Sequence, residues 1–319
     1  MEHQLVKSIN KSLDWIIQNL NYFKLEPYDA TKQTGITDER KAFGELALAL
    51  LIISKCPEFK NDSRVIQITN FVHDIATSDD YEFNMQKNLT LFPFYITVYV
   101  SLAEVGIRLE KHRKIIENLL RFDYVEHIER TSWNHIDFKY FLEKGGFKHK
   151  MHDTEMLYKT SSLFYMPSIP FNRIMDAYAT THILFFLSDF GDWDISGLIG
   201  DKLEETKAYV QALTGVYAHK RDWDLLGELL ISCHILKHRD FNLHRVCWDH
   251  YLESQQDAGD FISRYVLEDF DNNKALEPKE RFKRNYHPTL VGLFACTLEY
   301  QYLNTQTNDI STSTAIAYS

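Results

Sequence analysis

Apolar residues recur at intervals of three and four along almost the whole chain, and little interrupts them. Across 319 residues there are 7 Pro and 12 Gly, too few to turn a many-stranded sheet, whose reversals draw on both. The pattern therefore predicts helix after helix. Leu5, Ile9, Leu13, Ile16, Ile17 and Leu20 open with an amphipathic stripe. After a turn-like stretch with Pro27, Asp29 and Gly35, Thr37 caps a helix over about 38–54, and Pro57 breaks the chain behind it. Asn61, Asp62 and Ser63 introduce a third helix over about 63–77. The next, about 88–106, is apolar nearly all round, which predicts burial on most sides. A charged-sided helix follows over about 110–121.

Residues 122–170 are less regular, with short helices near 135–144 and 153–162 and many Trp, His and Tyr residues, Trp133 among them. A pocket lid or inserted loop is expected there. Regular helices resume near 171–189, 199–219, 222–237, 242–255 and 286–303. Asp192-Trp193-Asp194 and Asp222-Trp223-Asp224 punctuate them similarly, as an internal repeat would. Roughly twelve helices joined by short connections make about six antiparallel hairpins. The expected fold is all-α, an α/α toroid with an inner ring around a cavity; an open solenoid shares the local pattern. One domain is expected over 1–303, with a polar tail over 304–319.

Charge narrows the function. A net charge of −10 repels phosphate backbones, so nucleic acid is not an expected partner. Cys56, Cys233, Cys247 and Cys296 lie in or beside apolar runs with no C-x-x-C pair, as buried thiols of a reducing compartment do. The start lacks the basic-then-apolar order of a signal peptide, and the most apolar stretch, Phe43–Ile53, is about half a membrane span. A cytoplasmic protein is expected, with no membrane partner and its oligomeric state left open.

Three groups of residues draw attention. Tyr178 and His182 are four apart and share a helix face, and Asp189 returns to nearly the same face seven residues on. Such a stripe serves proton transfer, or a core hydrogen-bonded pair. Asp176 faces Arg173 and Thr180, as a local ion pair. The second group is Gln256, Asp257 and Gly259 with Tyr286 and His287. Gly259 marks a turn with special backbone dihedrals. His287, just before Pro288, is expected in the first turn of its helix, where the positive end of the dipole keeps imidazole neutral. The third is Cys233, His234, His238, His244, Cys247 and His250, zinc-ligand types without H-E-x-x-H or a cysteine pair. No metal or cofactor is expected. Phosphate-loop, dinucleotide and nucleophile-elbow motifs are absent from the sequence. The acidic run Glu268-Asp269-Phe270-Asp271 is expected in a solvated loop.

Gln255-Gln256-Asp257-Ala258-Gly259-Asp260-Phe261 fits a Q-x-x-x-G-x-[FW] turn once. In that turn the chain resembles the α/α-toroid class of terpene cyclases and prenyltransferase β-subunits. Taken with the segments Asp176–His182 and Tyr286–Gly292, it is similar to an uncharacterised bacterial helical family labelled a domain of unknown function, some of whose members lie near peptide natural-product genes. The D-x-D-D acid motif, the prenyltransferase zinc ligands and the lanthionine-cyclase Cys and His motifs are missing. The resemblance implies a cavity and leaves the reaction open. The expected function is a pocket protein, an enzyme of specialised metabolism acting on a peptide or apolar small molecule; the alternative is a non-catalytic scaffold for a partner peptide or protein. His287, His182, Tyr178 and Asp257 are the expected catalytic residues. Tyr286, Asp176, Gln256 and Trp133 are the expected substrate contacts.

Overall fold

The structure, a computed structural model, describes residues 1–26, 36–264 and 276–316, with side chains to residue 305. The turn expected around Pro27, Asp29 and Gly35 and the acidic run 268–271 lie outside the described residues. Within them the chain is helical, without strands; one isolated antiparallel bridge joins Gln255 to Phe261. The helices in chain order are α1 Glu2–Gln18, α2 Asp38–Ile53, α3 Pro57–Lys60, α4 Ser63–Ala76, α5 Asp79–Lys87, α6 Phe92–Glu104, α7 Glu110–Leu120 and α8 Ser132–Lys144. Then come α9 Thr154–Lys159, α10 Ser162–Tyr165, α11 Ile174–Leu187, α12 Ser196–Ile199, α13 Leu203–His219, α14 Trp223–Ile235, α15 Asn242–Glu253 and α16 Pro278–Ile316.

Their starts follow the local chemistry. Thr37, Asp62 and Asp222 cap α2, α4 and α14 by accepting backbone N–H groups two or three residues on. At the head of α11 the Asp176 carboxylate reaches back to accept the Arg173 backbone N–H at 3.0 Å. This is why Asp176 is bound to Arg173 through both carboxylate oxygens, at 2.7 and 2.9 Å.

Packing runs in a cycle. Helix α2 packs on α6, α6 on α8, α8 on α11, α11 on α14, α14 on α16, and α16 on α2 again. The remaining long helices lie against these: α1 on α16, α4 on α2, α13 on α14. Helices of the cycle carry many completely buried apolar residues, such as Leu46, Leu50, Phe92, Phe138, Ile183, Leu229 and Leu290. None of the described helices is long and apolar enough to cross a membrane.

The Gln255–Phe261 turn ties this assembly together. Gln255 Nε2 donates to the Ser8 carbonyl, Ser12 Oγ and the Gly259 carbonyl, each at 3.0 Å. Gly259 has φ +102°, and a Cβ there would sit 2.2 Å from the carbonyl oxygen of Lys11. Only glycine meets both demands. Buried Asp260 takes a two-pronged contact from Arg281, both arms at 3.1 Å, and a 2.6 Å bond from Asn285 Nδ2. The turn thus joins α15, α1 and α16.

Two helix boundaries change the sequence reading. Helix α16 begins at Pro278, so His287 lies well inside it, and Pro288 is an interior proline. Its far end continues through Ile316, into the stretch set apart as a tail. Helix α11 ends at Leu187, and Asp189 has φ +48°. Seven-residue helical spacing therefore does not carry from His182 to Asp189. Instead the buried Asp189 carboxylate binds Tyr140 OH at 2.6 Å, Lys144 Nζ at 2.7 Å and Lys55 Nζ at 3.1 Å. It serves as a brace between α8, the end of α11 and the chain after α2.

Candidate functional site

Each helix of the cycle lends a stripe to one cavity of about 370 Å³. Helical spacing makes the stripes: Lys41, Glu45 and Leu48 on α2; Asp137 and Phe141 on α8; His182 and Phe186 on α11; Glu228 and Ile231 on α14; His287, Val291 and Phe294 on α16. Phe94, Phe185 and Phe190 complete walls that are mostly aromatic and aliphatic, and Trp133 stands edge-on to the His182 ring with centroids 5.0 Å apart. A largely apolar hollow with a few converging polar groups is the usual form of a small-molecule site.

The polar groups converge at one place. His287 Nδ1 lies 2.7 Å from Glu45 Oε2. Its Nε2 faces Asp224 Oδ1 at 3.3 Å and Glu228 Oε1 at 3.6 Å. His182 Nε2 approaches the same Glu228 oxygen at 3.5 Å. Behind them, Tyr178 OH donates to Asp224 Oδ2 at 2.6 Å and Thr181 Oγ1 donates to Glu228 Oε2 at 2.5 Å. Asp224 Oδ1 is buried and accepts no hydrogen bond from the described residues.

Opposite charges dominate the titration of this group. Burial alone would lower the His287 pKa, but Asp224 and Glu45 beside it raise it well above the ordinary value. The sequence expectation of a neutral imidazole at a helix N-terminus is therefore corrected on both counts, position and charge. At His182 burial also lowers the pKa, and Glu228 outweighs it. Burial pushes Glu228 up, yet the two imidazoles hold it below the usual range; Asp224 is raised by burial, against the pull of His287. On the neighbouring helix α8, burial pushes Asp137 up to about 7, with His182 and Arg130 only partly offsetting it.

Of the eight expected site residues, His182, His287 and Trp133 line the cavity, and Tyr178 supports it through Asp224. The other four do not line it. Asp257 is fully exposed and meets Lys11 at 3.4 Å. Gln256 is spent within its turn, donating to the Ser254 carbonyl. Asp176 caps α11, and Tyr286 stacks on Phe282 beside a separate hollow near α1 and α2. For Tyr286 the reason is helical geometry: adjacent residues point about 100° apart, so His287 and Tyr286 cannot share a face.

Sequence reasoning missed Glu45, Asp137, Asp224 and Glu228. A signal was present. Glu45 and Glu228 each stand in a Gly-Glu-Leu triplet within an otherwise apolar run, Gly44-Glu45-Leu46 and Gly227-Glu228-Leu229. A lone carboxylate on a buried helix needs a partner, and these two find the same histidine.

The expectation of no metal had weighed the Cys and His residues of α14 and α15. Those side chains go elsewhere: Cys233 contacts Thr214, His234 meets Arg239, and His238 meets Gln211. Among the described residues, Asp224, Glu228 and His287 form a group able to hold a metal ion, one ligand atom from each lying within 4.8 Å of the others.

A family model described as Domain of unknown function (DUF6895) matches residues 9–297. The chain belongs to that family. The matched span of DUF6895 takes in α2, α6, α8, α11 and α14 whole, α16 as far as residue 297, and all the cavity residues named above. No curated protein and no solved structure matches the chain.

Proposed function

We propose that this protein is an α/α-toroid pocket enzyme that binds a small molecule by its apolar body and works on its polar end. The cyclic order of helix packing supports the toroid reading. One observation carries the function: polar side chains from α2, α8, α11, α14 and α16 converge on a cavity whose walls are otherwise aromatic and aliphatic. In this reading the walls exclude water and His287 and Glu228 hold the substrate's polar end. His182 and Asp137, on the neighbouring helices α11 and α8, are the groups that move a proton. The reading favours a compact substrate over a long peptide, because about 370 Å³ is at the small end of ligand pockets.

The alternative, a non-catalytic scaffold for a peptide or protein, draws on exposed apolar side chains at Tyr165, Phe171, Ile174 and Met175. That strip carries none of the convergent acid–base groups, and so the cavity is the stronger reading.

The test is retention and turnover. Purified protein is incubated with a small-molecule extract, and retained compounds are identified by native mass spectrometry. A compact compound with an apolar body should be retained and converted. Thr97→Trp, which fills the cavity from its half-buried wall, should abolish retention; His182→Ala should retain the compound without converting it. Unchanged retention in Thr97→Trp overturns the cavity assignment, and retention without conversion by the native protein leaves the scaffold reading.

A further inference from the structure

Three side chains of the polar cluster, two of which line the cavity, are each held from behind by an outer hydrogen bond. Tyr178 holds Asp224 by Oδ2, Thr181 holds Glu228 by Oε2, and Glu45 holds His287 by Nδ1. The atoms left over, Asp224 Oδ1, Glu228 Oε1 and His287 Nε2, face one another. This is the arrangement by which outer hydrogen bonds orient metal ligands, a carboxylate fixing the far nitrogen of a coordinating imidazole included. The structure assigns to these three atoms a binding site for a first-row divalent metal ion, zinc by preference, with an open position toward the cavity.

Spacing supports it. Zinc bonds to nitrogen and oxygen of about 2.0–2.2 Å at tetrahedral angles place neighbouring ligand atoms roughly 3.3–3.5 Å apart. Nε2 of His287 stands 3.3 Å from Asp224 Oδ1 and 3.6 Å from Glu228 Oε1, and one ligand atom from each of the three residues lies within 4.8 Å of the others, so a bound ion would draw the set together. Asp224 Oδ1 is a buried carboxylate oxygen that accepts no hydrogen bond; its neighbour His287 Nε2, at 3.3 Å, is an ion-pair contact that a bound metal ion would replace with a direct bond. Charge balances once the ion displaces the Nε2 proton of His287: two carboxylates and the imidazole so left neutral match a dication. One imidazole among two carboxylates favours zinc, manganese or iron over the all-oxygen sites of magnesium and calcium. Asp224 and Glu228 are four apart at the start of α14, so one helix face supplies two ligands, and α16 brings the third.

Three protein ligands leave a fourth place. Glu228 and His287 both line the cavity, as does His182, whose Nε2 is 3.5 Å from Glu228 Oε1. A ligand entering the cavity would meet the ion there beside His182, so that His287 and Glu228 would hold its polar end through the ion. The inference adds to the cavity reading without depending on it, because metal binding is read with no substrate present.

The experiment uses the full chain, stripped with a chelator and dialysed. Calorimetric titration with Zn²⁺, then with Mn²⁺ and Mg²⁺, should show one zinc per chain, bound at least 100-fold more tightly than magnesium. Asp224→Asn and Glu228→Gln should each weaken zinc binding at least tenfold, and Tyr178→Phe, which removes only an outer hydrogen bond, about tenfold. His238→Ala, in the other histidine group, should bind zinc as the parent does. Circular dichroism at matched temperature confirms that each variant is folded. A folded Glu228→Gln chain that binds zinc like the parent overturns the assignment, as does loss of binding in His238→Ala or no stoichiometric binding by the parent. Those failures leave small-molecule retention untouched, and loss of retention in turn leaves the metal result standing.

Discussion

Asp137→Asn should stabilise the protein in alkaline solution and do little in acid. The Asp137 carboxyl rises from an ordinary 3.8 to about 7 in the folded chain, through burial that His182 and Arg130 only partly offset. A carboxyl with a raised folded pKa binds its proton more tightly when folded. Stability is therefore present below the unfolded value and declines as pH rises from about 4 through about 7. The shift is roughly 3 pH units at 1.36 kcal/mol each, an upper bound near 4 kcal/mol. Water reaching the cavity wall reduces it, and about 2 kcal/mol is the working expectation. Asparagine keeps the shape and never ionises. Urea denaturation of both chains at half-unit steps from pH 4 to pH 8 measures the difference directly. The variant should gain on the parent steadily up to pH 7 and level off above it. The shifted histidines His182 and His287 are present in both chains, so their pH dependence largely cancels in the difference. A flat difference, or a parent that gains on the variant as pH rises, refutes the account and means that His182 holds Asp137 as a stable carboxylate.

Gly259→Ala should lose at least about 2 kcal/mol in the same assay, because φ +102° and a 2.2 Å approach to the Lys11 carbonyl leave no room for a methyl group. Glu299→Gln should cost about 3–5 kcal/mol by leaving Arg239, bound at 2.5 and 2.6 Å, with a weakened partner in a buried place; a smaller loss after Arg239→Met with Glu299→Gln together would show the pair's mutual dependence by melting temperature. Burial pushes the Cys56, Cys233 and Cys296 thiols up to about 12, so the native chain should react with a thiol reagent far more slowly than the chain in guanidinium, where four groups become available.

Helices were legible because their signal is local. The spacing of apolar residues, with the cap at Thr37, placed α2 and α14 within a residue or two of their observed ends. Helix α5, with few apolar residues to set a period, left little trace. The site was legible in part. His182 and His287 stand out as polar residues on apolar helices, whereas Glu45 and Glu228 matter through a histidine 242 and 59 residues away, at 2.7 and 3.6 Å. No window of sequence contains that relation. Asp257 failed for the opposite reason: its neighbours made a conspicuous motif, but the motif is a brace, and its carboxylate points to solvent.

The return of α16 onto α2 has a bearing on how the chain can be cut or extended. In an open stack of helical hairpins a unit can be lost from either end and the rest still fold. Here the last helix is also the neighbour of the second, and His287 meets Glu45 across 242 residues. Closing so long a loop is costly in entropy and is repaid only when the final contacts form. Removing α16 would open the wall of the cavity and expose the flank of α2 at once. The protein should therefore melt as one unit, and a chain shortened at residue 264 should gain no folded remnant.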